Sequence, residues 1–161
     1  MADMLVRLYA LPDPAPALAR ANERGVTIRT PASWERTLLV EWVRDAFSRG
    51  WADECAIAFA NQPPSCFVAV RDARIVGFAC HDCTRANFFG PAGVDESMRG
   101  AGIGAALTLR TLAAMRDAGY AYAIIGGVGP GDFYARVAGA TLIEGSIPGI
   151  YDFSLVERRD R

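Results

Sequence analysis

The chain contains no apolar run approaching the ~18 residues that a membrane-crossing helix requires, and its longest uncharged stretches are broken by Asn, Gln, Pro and Gly. The N-terminus has no long apolar segment either. Asp3 and Arg7 are followed by Pro12, Pro14 and Pro16, which is not the pattern of a secretory signal. Its positive charge is carried by arginine, but no cluster forms a stripe, and the formal net charge is -1. That excludes the cationic face on which a nucleic-acid phosphate backbone would rest. There is one histidine, no internal repeat, and no low-complexity block beyond the Pro/Ala segment of residues 11–17. These absences leave a cytoplasmic protein with neither nucleic-acid nor membrane partners as the expectation.

Four cysteines are present, Cys55, Cys66, Cys80 and Cys83, all within apolar stretches. Cys80 and Cys83 form a lone C-x-x-C that encloses His81. A zinc site would need two further ligands at ordered spacing, and Cys55 and Cys66 fall on a helix and at a strand start. If the strand runs on through Cys83, Cys80 and Cys83 face opposite sides of the sheet. The expectation is reduced thiols acting as small hydrophobes, with no metal.

What is present is a chain of 161 residues, 52% hydrophobic and 22% charged, enough for one domain with its own core. Residues 4–10 alternate as a strand, 15–24 read as a short helix closed by Gly25, and 26–30 are β-branched and strand-like. Ser33 is positioned to cap a helix whose apolar residues Trp34, Leu38, Leu39, Trp42, Val43, Ala46 and Phe47 follow the 3.6 period. That helix ends at Ser48-Arg49-Gly50, and a second covers residues 52–60 before Pro63 and Pro64. A hairpin follows, with strands 66–70 and 75–81, and then a third strand, 88–94, interrupted by Gly90, Pro91 and Gly93.

Residues 102–118 form a helix closed by Gly119, residues 121–128 a buried strand, and 131–137 a short helix. Segments 141–144 and 149–155 supply the last strands. The order predicts a mixed α/β sheet of six to seven strands flanked by helices, with a strand–helix–strand crossover from residue 88 to 128. Ligands of such sheets bind at the carboxyl ends of parallel strands, beside helix N-termini.

The informative stretch is Arg99-Gly100-Ala101-Gly102-Ile103-Gly104, which leads from a strand end into a helix. Its glycines let consecutive backbone N–H groups point at one anion. The helix N-terminus adds about half a positive charge, and Arg99 adds a cation. A P-loop would require Gly-Lys-Ser/Thr, which is missing. A dinucleotide fingerprint would require G-x-G-x-x-G with an acid on the next strand, and neither is present.

These six residues resemble the coenzyme-binding motif of the GNAT superfamily of acyl-CoA-dependent N-acyltransferases, Arg/Gln-x-x-Gly-x-Gly/Ala after a bulged strand. The resemblance covers about residues 65–145. It extends to Asp132-Phe133-Tyr134-Ala135-Arg136-Val137-Ala138-Gly139-Ala140, which is similar to the family's aromatic-Tyr-x-x-x-Gly-Phe. Residues 1–25 read as an N-terminal extension of the family core. Two departures stand out: Gly126-Gly127-Val128-Gly129 where the family often carries a pantetheine-contacting Asn, and Ala140 in place of Phe.

The resemblance implies acetyl-CoA as co-substrate, held by Gly93, Val94, Arg99, Gly100, Ala101, Gly102, Ile103, Gly104 and Phe133. Main-chain N–H groups near Gly93 and Val94 would face the thioester oxygen, and Tyr134 would be the general acid. The acceptor would be a small-molecule or peptide amine, approached by Trp51 and Glu54, with Glu54, His81, Asp82 and Glu96 as candidates for the base. A homodimer through the last strands is a further expectation. The alternative is a non-catalytic domain of the same fold that senses acyl-CoA.

Overall fold

The computed structural model describes residues 1–151 and 155. In chain order its elements are β1 (Met4–Arg7), α1 (Ala15–Glu23), β2 (Thr27–Arg29), α2 (Arg36–Ala46), α3 (Arg49–Ala58), β3 (Cys66–Arg71), β4 (Arg74–His81), β5 (Phe88–Val94), α4 (Ile103–Asp117), β6 (Tyr122–Ile125), α5 (Gly131–Ala138) and β7 (Thr141–Leu142). The strands form one sheet in the order β2-β3-β4-β5-β6-β1-β7. All neighbours run antiparallel except β5 and β6. The mixed α/β fold expected from the sequence is therefore present, with the crossover β5–α4–β6 at its centre.

Alternation along β3 assigns the two faces. Phe67 and Ala69 join Leu107, Leu109 and Leu112 of α4 in a core shared with α1. Cys66 and Val68 point the other way, into a second core with Leu39 and Val43 of α2 and Cys55 and Ala58 of α3. A register shift opposite Ala69 and Val70 moves Val76 out of the pairing, so Phe78 and Cys80 of β4 also face this second core. Helix α4 is buried along most of its surface, which explains its apolar composition.

Several boundaries differ from those expected. The first strand stops at Arg7, because Leu8 opens a 3-10 turn and donates its N–H to Ala121 O at 3.0 Å. Residues 33–35 form a 3-10 turn, and the Ala32 N–H is accepted by the Glu35 carboxylate at 2.7 Å rather than by Ser33. Two residues of the expected apolar stripe, Trp34 and Leu38, are 85% and 62% exposed. Ser48 opens α3 instead of closing α2, its Oγ accepting the Trp51 N–H at 3.2 Å. Helix α3 therefore starts three residues before the expected boundary and includes Trp51 as well as Glu54.

Strand β6 ends at Ile125, and residues 126–127 turn. Of the final expected strands, β7 keeps two residues, and Gly149–Tyr151 is a 3-10 turn; residues 152–154 lie outside the described part. The place beside β6 is filled by β1, which pairs with β6 on one side and β7 on the other. The N-terminal segment is thus built into the sheet.

Leu112 is fully buried between α4 and the sheet. Truncating it removes apolar contact and leaves a cavity. Leu112→Ala is expected to lower the unfolding free energy by about 3 kcal/mol, read from denaturant midpoints at unchanged slope.

Candidate active site

The site begins where two strands part. β5 and β6 pair at only two registers, Phe88 with Ile124 and Phe89 with Ile125. Beyond them Gly90, at φ +120°, turns β5 away, and β6 gives way to the Gly126–Gly127 turn. Residues 92–94 stay paired to β4 on one edge only, leaving their other edge facing a cleft with Gly90 and Pro91 beside it. Asp3 holds the far wall: its carboxylate accepts the Gly127 N–H at 2.7 Å, and the Val128 N–H bonds Ala2 O at 2.9 Å.

Two contiguous hollows occupy this cleft, of about 870 and 520 Å³. They share Ala92, Gly93, Val94, Arg99, Pro130 and Tyr134. The smaller hollow runs to the mouth of α4, where Gly100 and Gly102 adopt φ values of +78° and +81°. Those left-handed conformations are strained for any side-chain-bearing residue. The first helical bond, Ala106 N–H to Gly102 O at 3.1 Å, leaves the amides of residues 103–105 directed out of the helix end. Asp95 shapes the approach by accepting the Ser97 N–H at 2.9 Å. Ala101 is the exception among the expected coenzyme residues. Its side chain packs on the α1–α4 core and lines neither hollow, so only its main chain can serve.

Helix α5 closes the cleft from the side. Phe133 lies 3.6 Å from where a Cβ on Gly104 would be, and its ring meets Tyr134 edge-on at 5.0 Å. Tyr134 is wedged against Phe89 as well, with centroids 5.9 Å apart. Burial raises its phenol pKa above the ordinary value, which keeps the proton on oxygen at neutral pH.

The larger hollow has aromatic walls. Phe47 stacks at a tilt on Trp51 at 5.3 Å and on Phe78 at 5.7 Å. Glu54 is half-buried and accepts the Thr84 hydroxyl at 2.7 Å. Tyr151 completes the wall. Burial raises its pKa first, then the nearby carboxylates of Glu54 and Asp3. Of the four candidate bases, Glu54 is the one that lines the cleft. His81 Nδ1 and Asp82 Oδ2 lie 2.8 Å apart and are turned into the β4–β5 connection. Glu96 is exposed near Arg99.

Phe47, Thr84, Asp3 and Tyr151 were not singled out from sequence. Phe47 carried only a packing signal, and the other three reach the site through pairings that local sequence does not encode. The thiols are a further difference. Cys55, Cys66 and Cys80 come together from three elements, although their spacing suggests no such grouping.

The cleft is thus a parallel strand pair that parts over a glycine-rich helix mouth, with a tyrosine-bearing helix alongside. The family model described as Acetyltransferase (GNAT) family matches residues 36–137. The chain belongs to that family. No curated protein matches it in sequence. Among solved structures it resembles the glucosamine N-acetyltransferase region of a fungal multi-domain beta-N-acetylglucosaminidase (TM-score 0.72, 16% identity, covering 88% of this chain and 19% of that one). It also resembles a GCN5-related N-acetyltransferase from Sphaerobacter thermophilus (TM-score 0.65, 22% identity, 88% and 48%). A third is a GNAT family acetyltransferase from Brucella melitensis in complex with acetyl-CoA (TM-score 0.55, 20% identity, 73% and 86%). The chain therefore spans about a fifth and about half of the first two. Among the described residues no helix is long and apolar enough to cross a membrane.

An ideal Cβ on Gly93 would fall 2.6 and 2.9 Å from Phe47 Cε1 and Cε2, and the ring is held by Trp42, Trp51 and Phe78. Gly93→Ala is expected to cost about 2 kcal/mol through overpacking. Adding Phe47→Leu should restore much of the loss, as a double-mutant cycle in urea would record.

Proposed function

We propose that the chain transfers an acetyl group from acetyl-CoA to a primary amine by direct attack. The observation that carries this reading is the free edge of β5 at residues 92–94, with the α4 amides at one end and Tyr134 alongside. An extended pantetheine arm can pair with that edge as an added strand. Its diphosphate would then reach the N–H groups of Gly100, Gly102, Ile103 and Gly104, with Ala101 giving its main chain and Arg99 its guanidinium. The complex of the Brucella relative with acetyl-CoA supports the choice of coenzyme.

The chemistry follows from where the arm would end. Main-chain N–H groups around Gly93 and Val94 stabilise the oxyanion as the amine nitrogen attacks the thioester carbon. The carbon–sulfur bond then breaks, and the leaving thiolate takes the proton from Tyr134, whose raised pKa keeps it available. The attacking ammonium must first lose a proton, and Glu54 is the base that faces the cleft, directly or through water. The attacking nitrogen loses its second proton as the intermediate collapses, and that proton returns through water to the Tyr134 oxygen, so the products are an N-acetyl amide and free coenzyme A. Trp51, Phe47 and Tyr151 around one carboxylate suit a small-molecule or peptide amine that is cationic and carries an apolar body.

Tyr134→Phe keeps the ring packing and removes the proton, so kcat should fall about 100-fold with the acetyl-CoA Kd unchanged. Unaltered turnover would remove Tyr134 from the chemistry. Arg99→Ala should instead raise the KM for acetyl-CoA about 10-fold, one charge-assisted contact's worth. Thiol release from acetyl-CoA across an amine panel tests the whole reading. Stabilisation by acetyl-CoA with no thiol released under any amine would point to a sensing domain.

A further inference from the structure

The second core, between α3 and the β3–β4 hairpin, holds all four cysteines, each of them buried. Cys66 and Cys80 sit directly opposite one another in the antiparallel register. The His81 N–H bonds Ser65 O at 2.9 Å, so the flanking residues carry the hydrogen bond. Cys66 and Cys80 are then the closely spaced, non-bonded kind of pair, with Cα atoms about 4.5 Å apart. Cys55 descends on them from α3. The Sγ atoms of Cys55, Cys66 and Cys80 all lie within 4.8 Å of one another. Three sulfurs bound at about 2.3 Å around one ion stand roughly 4 Å apart, a spacing these side chains reach with small rotations.

We propose that Cys55, Cys66 and Cys80 form a three-thiolate site for a thiophilic divalent ion of the zinc type, unrelated to the acetyl-transfer cleft. The ligand set is all sulfur, which selects soft or borderline ions over magnesium or calcium. It shares its core with the apolar side chains of Leu39, Val43, Val68, Phe78, Ala52 and Ala58. Such a shell favours the smallest residual charge. A divalent ion with three thiolates leaves one negative charge, a monovalent ion two.

The thiols are already arranged around one sulfur. Binding would release three protons, form three metal–sulfur bonds and transfer no electron. Cys83 stands apart from the three, its S–H donated to the His81 carbonyl at 3.2 Å. Because the site is closed to solvent, the ion would enter as the chain folds. Bound there, it pins α3 to the sheet. On the acetyltransfer reading, it also fixes the helix that carries Trp51 and Glu54.

The test refolds the full chain from denaturant under reducing conditions, with and without one equivalent of Cd²⁺ as the spectroscopic probe or Zn²⁺. After gel filtration the expected product retains one ion per chain. It shows a thiolate-to-cadmium charge-transfer absorption and melts at a higher temperature than the metal-free protein. Cys55→Ala should keep the fold by circular dichroism and lose both the absorption and the ion. Should Cys66→Ser, the second variant, fail to fold, Cys55→Ala and the wild-type measurement still decide the matter. No retained ion, together with identical melting in both preparations, would overturn the site and leave the cysteines as packing. A Cys66–Cys80 disulfide in protein isolated with its thiols blocked would overturn it as well, since two ligands would be consumed. None of these readouts involves acetyl transfer, so failure here is distinct from failure of the proposed function.

Discussion

The structure turns on the parting of β5 from β6. Two hydrogen-bonded neighbours in a sheet satisfy each other's main-chain groups, and separating them costs free energy unless something else takes their place. Here the separation follows two registers of parallel pairing and is enforced from both sides. Gly90 turns β5 outward at a dihedral angle that residues with a Cβ avoid. Phe47 fills the space behind Gly93, and Asp3 clamps the turn that ends β6. Unpaired main chain and an open cleft are thus created by one local decision. A ligand with an amide-bearing arm restores the missing bonds, which is how a fold feature becomes an affinity.

The helix mouth works by the same logic. Helix α4 is anchored by an almost fully buried body, so its N-terminus cannot retreat from the cleft. Gly100 and Gly102 bend the chain immediately before it without side chains that would block the amides. Helix α5 supplies the remaining wall, and Phe133 against Gly104 sets how closely the two helices approach. A Cβ at position 104 would stand 3.6 Å from the Phe133 ring and 3.7 Å from Val94, in ordinary contact, so the approach admits a methyl group but no longer side chain. On the proposed function, this spacing would set the distance between the coenzyme's phosphates and Tyr134.

Much of this was legible in the sequence because it is local. The motif from Arg99 to Gly104 is read from consecutive residues, as are the β3–β4 hairpin, helix α4 and the placement of Tyr134 on a short helix. What local pattern does not contain is partnership. Met4–Arg7 reads as a strand, but nothing in those four residues says that it lies between β6 and β7. The same limit hides Asp3 and Tyr151, which reach the site across most of the chain. It also hides the thiol cluster, since Cys55, Cys66 and Cys80 meet only after α3 folds back onto the hairpin. Trp34 and Leu38 show the opposite error, where a helical period was taken for a buried face.

The account rests on main-chain amides at the mouth of α4 receiving a diphosphate. Amide chemical shifts followed during titration with acetyl-CoA address this directly. The largest changes are predicted at Gly100, Gly102, Ile103 and Gly104, joined by Gly90, residues 92–94 and Tyr134. Saturation with acetyl-CoA that leaves those glycine amides unmoved, or that moves a different face of the molecule, would contradict it.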